Sequence, residues 1–150
     1  MLEHVGRANI PDFTDAADSL LKDGGVFVLH TITKQVESES NAWMERYIFP
    51  GGYIPSIREL VATLPEHDFY IKDMESLRLH YARTLKFWAD AFEKNLDAVR
   101  KKFDEPFIRM WQVYLNSCIY GFRYRVVDLH QFILEKGINN ELPMTRHYLY

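Results

Sequence analysis

The chain has 150 residues, 47% hydrophobic and 15% aromatic, with a formal charge of -3, which is enough apolar material for one domain with its own core and excludes disorder as the organising state. The mild acidity gives no electrostatic basis for nucleic-acid binding, and a single cysteine, Cys118, excludes an internal disulfide framework or cysteine zinc cluster and fits a reducing cytoplasm. No apolar run approaches the ~20 residues that span a bilayer, and the opening Met1-Leu2-Glu3-His4 carries an acid where a signal peptide carries Lys or Arg, so membrane contact is expected to be peripheral.

Met1 to Gly6 reads as the end of a preceding element rather than the start of a domain. From Pro11-Asp12 the pattern turns helical, with Phe13, Ala16, Ala17 and Leu20 on one face and Lys22-Asp23-Gly24-Gly25 as the stop. The unbroken apolar run Val26-Phe27-Val28-Leu29 before His30-Thr31-Ile32 predicts a strand buried on both faces, the pattern of a parallel sheet. His30 then lies at the carboxyl end of that strand, where open α/β sheets place ligands, or else caps the strand by hydrogen bonding. Thr33 to Ser40 is a polar loop and Asn41 to Tyr47 a short helix or turn. Ile48 to Pro55 cannot continue a helix, because Pro50, Gly51, Gly52 and Pro55 interrupt it. Ser56-Ile57-Arg58-Glu59 is a capping-box sequence opening a helix to about Leu64, and Phe69-Tyr70-Ile71 suggests a short strand.

A long helix is predicted from about Ser76, with Tyr81, Leu85, Trp88, Phe92, Leu96, Val99 and Phe103 forming one stripe. Read as core, Trp88→Ala should cost ~3 to 5 kcal/mol. Asp104-Glu105-Pro106 breaks and restarts the helix, and Phe107, Met110, Trp111, Tyr114, Leu115, Cys118 and Phe122 give a second stripe that makes Cys118 structural. Arg125 to Leu134 alternates as a late antiparallel strand closed by Glu135-Lys136-Gly137, and residues 138–150 form a polar tail. Arg100-Lys101-Lys102 reads as a solvated helix face, with contact to anionic lipid as the lesser alternative.

The groups available for catalysis are Glu3, His4, His30, Tyr81, Asp73 and Glu75, and they form no known triad. G-x-S-x-G, H-E-x-x-H, a P-loop and G-x-G-x-x-G are all absent from the sequence, so hydrolase, zinc-protease and nucleotide-binding readings lack their minimum parts. The order of several blocks says more. Glu3-His4-Val5-Gly6 is followed by Leu29-His30-Thr31-Ile32, Tyr47-Ile48-Phe49-Pro50-Gly51-Gly52 with Ile54-Pro55-Ser56, and Tyr81-Ala82-Arg83-Thr84-Leu85 with Trp88. Phe107-Ile108-Arg109-Met110-Trp111 with Tyr114-Leu115, Cys118 and Phe122-Arg123 completes the set. This series resembles the cyclopropane-fatty-acyl-phospholipid synthase family, which includes the mycolic acid cyclopropane synthases, over the family's C-terminal portion, here residues 1–137.

The resemblance implies the C-terminal part of a Rossmann-type α/β methyltransferase fold, with a partial sheet and long aromatic-rich helices. It implies transfer of a methylene group from S-adenosylmethionine to the double bond of an unsaturated phospholipid acyl chain, with bicarbonate as the base. Residue by residue, the family's bicarbonate site maps onto Glu3, His30, the backbone of Ile32, and Tyr81; its remaining contact, an upstream cysteine, is not matched by Cys118. Thr33 stands where family members usually have Gly. The mapping puts Met1 at the exit of the fourth strand and leaves out the glycine-rich adenosylmethionine loop and the lipid-receiving N-terminal region. The expectation is therefore a chain inactive alone, cytoplasmic or peripheral to the inner membrane, with an open edge at the Val26 strand. Such a chain would be marginal, self-associating or dependent on a complementary N-terminal polypeptide. The alternatives are a related methyltransferase acting on acyl chains without ring closure or on small amines, and a non-catalytic lipid-binding remnant.

Overall fold

A computed structural model describes residues 1–149. The two glycines act where the sequence puts them, between α1 (Ile10–Leu20) and β1 (Val26–Thr33). Gly24 takes a φ of 72°, a left-handed conformation that a side chain resists. The turn is tied to the end of the chain, because Gly24 N–H donates to the Lys136 carbonyl and Lys136 N–H returns to the Gly25 carbonyl, both at 2.9 Å.

That link brings β3 (Asp128–Lys136) alongside β1, and β2 (Phe69–Ser76) joins its other side, giving the order β1-β3-β2. Both pairings are antiparallel. The late strand is thus the centre of the sheet, and its antiparallel sense agrees with the sequence, although it starts at Asp128 rather than Arg125 and runs through the predicted stop to Lys136. The parallel, doubly buried reading of the Val26 run is corrected. β1 is an edge strand whose exposure alternates, with Val26 and Val28 44% and 51% exposed while Leu29 and Thr31 are buried. Having apolar residues on both faces does not decide whether both faces are covered.

One face of the sheet presents Phe27, Leu29, Phe132 and Leu134 to α1 and α3 (Ile57–Thr63), where Leu2, Ile10, Leu60, Leu64 and Phe69 complete a core. The buried side of α1 is Ile10 and Thr14 with Phe13 and Ala17, whereas Ala16 is exposed and Leu20 is 86% exposed, so the predicted stripe was rotated. At the other end of β1, Ile32 and its partner Leu129 pack beneath a helical pair with Ala82, Leu85, Leu115 and Phe122.

The pair is α4 (Arg78–Lys94) and α6 (Glu105–Arg123), joined by α5 (Leu96–Arg100). The long helix therefore does not run to Phe103. Asn95 ends it by donating its side-chain amide to the Ala91 carbonyl at 2.7 Å, a local bond that competes with the helical ladder. Asp104 caps α6 by accepting the Phe107 N–H at 3.0 Å, and Pro106 sits in the first turn, as the sequence indicates. Trp88 is 51% exposed and is not core; the buried line of α4 runs through Ala82 and Leu85. α2 (Ala42–Tyr47) is capped by Asn41, and the capping box of α3 forms in full. β2 is longer than predicted and carries a bulge between Ile71 and Asp73, so the following helix starts at Arg78. The polar tail is not detached: Asn139 donates to the Gly24 carbonyl at 2.7 Å, and Arg146 pairs with Asp73 at 2.6 Å.

Candidate functional site

An edge strand leaves alternate backbone N–H groups without a strand partner, and in β1 one of them is taken by a side chain. The turn Leu2–His4 is anchored by buried Leu2, which sets the Glu3 carboxylate against β1, where it accepts the Ile32 N–H at 2.6 Å. Burial raises the Glu3 pKa, but the N–H groups of Ile32 and Glu3 and the terminal amine outweigh it and hold the carboxyl below its ordinary 4.5. Glu3 is an anion at neutral pH.

Tyr81 stands in the first turn of α4. Burial first, then Cys118 and Glu3, raise its phenol above 10, so it remains a hydrogen-bond donor. Its ring meets Phe122 edge-on at 4.8 Å and Trp88 at 6.1 Å. Behind it, Tyr114 is pushed up by burial and by Cys118, with which it shares a hydrogen bond, and then by Tyr81. Burial pushes the Cys118 thiol up to about 11, against the Tyr114 hydrogen bond, which leaves the cysteine an unreactive thiol.

The loop after α2 closes the other side. Phe49 stands edge-on to Tyr114 at 6.0 Å and to His4 at 5.2 Å. Tyr53 N–H donates to the Glu3 carbonyl at 2.9 Å, drawing the loop onto the Glu3 turn. Gly52 permits this approach, since a Cβ there would lie 3.1 Å from the Phe49 carbonyl and 3.3 Å from that of Glu3.

The fold joins Glu3 to the Ile32 amide by a hydrogen bond, and the Tyr81 phenol feels the Glu3 charge. His30 lies two residues back on the same face of β1, about 7 Å along the strand. Its side chain is exposed, with Nδ1 3.4 Å from Gln131 Oε1. His4 borders the site through Phe49. Asp73 and Glu75 do not join it, because β2 is the far edge of the sheet and Asp73 is engaged by Arg146. Tyr114 and Phe49 are the wall residues that the sequence reading placed only as packing or as motif. The signal available was the Tyr81 and Tyr114 pair on two helices that the chain folds against each other. Among the described residues no cluster of His, Cys, Asp and Glu suits a metal ion, and no helix is long and apolar enough to cross a membrane.

The family described as mycolic acid cyclopropane synthetase matches residues 1–132. The cyclopropane-fatty-acyl-phospholipid synthase of Escherichia coli K12 is 34% identical over 147 residues, which is 97% of this chain and 38% of that protein. The solved structure of the cyclopropane synthase MmaA2 from Mycobacterium tuberculosis superposes with a TM-score of 0.84 at 30% identity, over 90% of this chain and 52% of that one. The mycolic acid cyclopropane synthase CmaA1, solved with SAH and CTAB, gives 0.82 at 29% identity over the same shares. The chain therefore spans 40% and 38% of two curated relatives it matches and 52% of each of these two solved structures. Its helices and three-stranded sheet are part of an S-adenosylmethionine-dependent methyltransferase fold. On matched sequence and on fold alike, the chain belongs to the mycolic acid cyclopropane synthetase family.

Proposed function

We propose that this chain is the C-terminal, acyl-facing part of a cyclopropane-fatty-acyl-phospholipid synthase that works on unsaturated phospholipid at a membrane surface from the cytoplasmic side. The observation that carries this is the hydrogen bond of the Glu3 carboxylate to the Ile32 amide, with Tyr81 held against Phe122 and Trp88 within reach of the Glu3 charge. When bound, S-adenosylmethionine supplies an electrophilic methyl carbon to the alkene, and bicarbonate supplies the base for the proton lost as the ring closes.

The residues suit a small, proton-bearing anion. The Ile32 N–H is spent on Glu3 and fixes that carboxylate, and the raised pKa of Tyr81 keeps its O–H a donor for the anion. His30 supplies a further N–H by turning from Gln131. Glu3 stays ionised and accepts a hydrogen bond, so it orients a hydroxyl rather than competing for the proton. Phe49 and Tyr114 give an acyl chain an apolar surface, backed by buried Phe122. The open edge of β1, with Val26 and Val28 exposed, supports pairing with a complementary N-terminal polypeptide or with a second copy.

The test is product analysis. The chain assembled with a complementary upstream polypeptide, S-adenosylmethionine and unsaturated phosphatidylethanolamine should yield lipid heavier by one CH₂ with the double bond lost. Glu3→Gln and Tyr81→Phe should each slow turnover by about a hundredfold or more. Normal turnover in both variants would overturn the site assignment, and a methylated but uncyclised product would move the chain to the simple acyl methyltransferases.

A further inference from the structure

α4 is rooted in the sheet, where Leu77 N–H donates to the Leu129 carbonyl at 2.7 Å and Arg78 holds the Phe122 carbonyl at the end of α6. Seventeen helical residues then carry the chain about 25 Å away. The α5 elbow, residues 95–104, is therefore the distal tip of a helical hairpin. Its charges are unevenly used. Arg100 is engaged by Glu105 at 2.8 Å and Asp97 at 3.6 Å, and Asp104 is occupied as the α6 cap. Lys101 and Lys102 are exposed and, among the described residues, form no ion pair.

Beside these lysines Phe103 is 47% exposed and stacks on Phe107 at 4.2 Å. Phe107 stacks in turn on Trp111 at 5.8 Å, and Trp111 packs on Tyr114 at 5.0 Å, so one aromatic column runs along α6 from the tip to the candidate site. Next to the column lies a groove of about 400 Å³ between α2 and α6, lined by Trp43, Tyr47, Phe107, Met110 and Val113. Arg109 lines it as well, with no ion pair among the described residues, and Arg46 lies over the Tyr47 ring at 5.3 Å.

We propose that the α5 elbow docks on an anionic bilayer, with Lys101 and Lys102 against the headgroups and Phe103 in the interface, and that the aromatic groove along α6 leads an acyl chain from there to the site. Cations beside an exposed ring are the combination that holds a protein at an acidic lipid surface. The distal position lets the elbow touch a plane before the sheet does. Arg46 and Arg109 at the groove complement a phosphate while the groove itself takes the chain. This inference rests on the lipid substrate proposed above.

The experiment is sedimentation of the 150-residue chain with vesicles of phosphatidylglycerol and phosphatidylcholine, or of phosphatidylcholine alone, in the absence of S-adenosylmethionine. Binding should require the anionic lipid and weaken with salt. Lys101→Ala with Lys102→Ala should lower partition about thirtyfold. Lys22→Ala with Arg123→Ala, the same charge change away from the elbow, should change it only slightly. Phe103→Ser should weaken the binding that survives in salt. Equal loss in the two double variants, or equal binding to both vesicle types, would overturn the docking surface. Because the assay involves no methyl transfer, its outcome is independent of the activity test.

Discussion

Glu3 accepts the Ile32 N–H at 2.6 Å on the unpaired side of β1, so one carboxylate both occupies that edge amide and faces the candidate site. Its pKa is net lowered: burial acts upward, and the hydrogen bonds, led by Ile32, act downward and win. A depressed carboxyl pKa stabilises the fold fully above the unfolded value near 4.5 and ceases to do so as pH falls through the folded value. Urea unfolding followed against pH should therefore show an acid limb that flattens in Glu3→Gln. An unchanged limb would mean that the carboxylate is not held by that amide.

The capping box of α3 is more tightly connected than a surface cap. Ser56 is 1% exposed and its hydroxyl accepts the Glu59 N–H at 3.0 Å, while Glu59 accepts the Ser56 N–H and the Tyr53 hydroxyl, each at 2.8 Å. Ser56→Ala should cost about 1 kcal/mol. Glu59→Ala should cost more, because it strips partners from Ser56, from Tyr53, whose pKa is raised to about 12 by burial and then by Glu59, and from Arg7 at 2.8 Å. Urea midpoints with unchanged slopes would check the order.

What was legible in the sequence was local chemistry. Ser56 and Glu59 announce a cap, Gly24 and Gly25 a turn, and Asp104 with Pro106 a helix start, because each acts within a few residues of itself. What was not legible depends on partners far along the chain. The run Val26 to Leu29 is apolar on both sides, and nothing in it tells whether its neighbour is parallel or where the sheet ends. On α4 the stripe's Tyr81, Leu85 and Phe92 do pack in the core, but Trp88 lies off it and small Ala82 and Ala89 complete the side that α6 approaches. At the site, the spacing of Glu3, His30, Ile32 and Tyr81 carries no geometry by itself. The resemblance groups all four, and the fold shows the Glu3 carboxylate on the Ile32 amide and His30 beside Gln131.

Two members of the α4 stripe give a contrast between truncations. Leu85 is 1% exposed and packs among Ala82, Leu115 and Phe122, so Leu85→Ala should cost about 2 to 5 kcal/mol. Trp88 is 51% exposed and touches the Tyr81 ring with one edge, so Trp88→Ala should cost on the order of 1 kcal/mol. Thermal unfolding of the two variants in parallel decides it. A larger loss from Trp88 would place it in the core with Leu85.

Thr33 is fully buried, and its hydroxyl lies 2.7 Å from Nδ1 of buried His130. The geometry lets Thr33 donate to Nδ1 while the ring proton sits on Nε2, 3.8 Å from Asp128, whose carboxylate also accepts from Ser76 at 2.8 Å. Burial lowers the His130 pKa below 6.5, against the opposing pull of Asp128. A histidine with a lowered folded pKa stabilises the fold above the unfolded value, and that stability is lost as pH falls through the folded value. Thr33→Val should cost about 1 to 3 kcal/mol at neutral pH by leaving Nδ1 without a donor. It should also make the ring easier to protonate, because the lost hydrogen bond favoured the neutral form, so the His130 imidazole resonance followed by NMR should titrate at higher pH in Thr33→Val. A titration that stays in place would show that Thr33 does not hold the neutral ring.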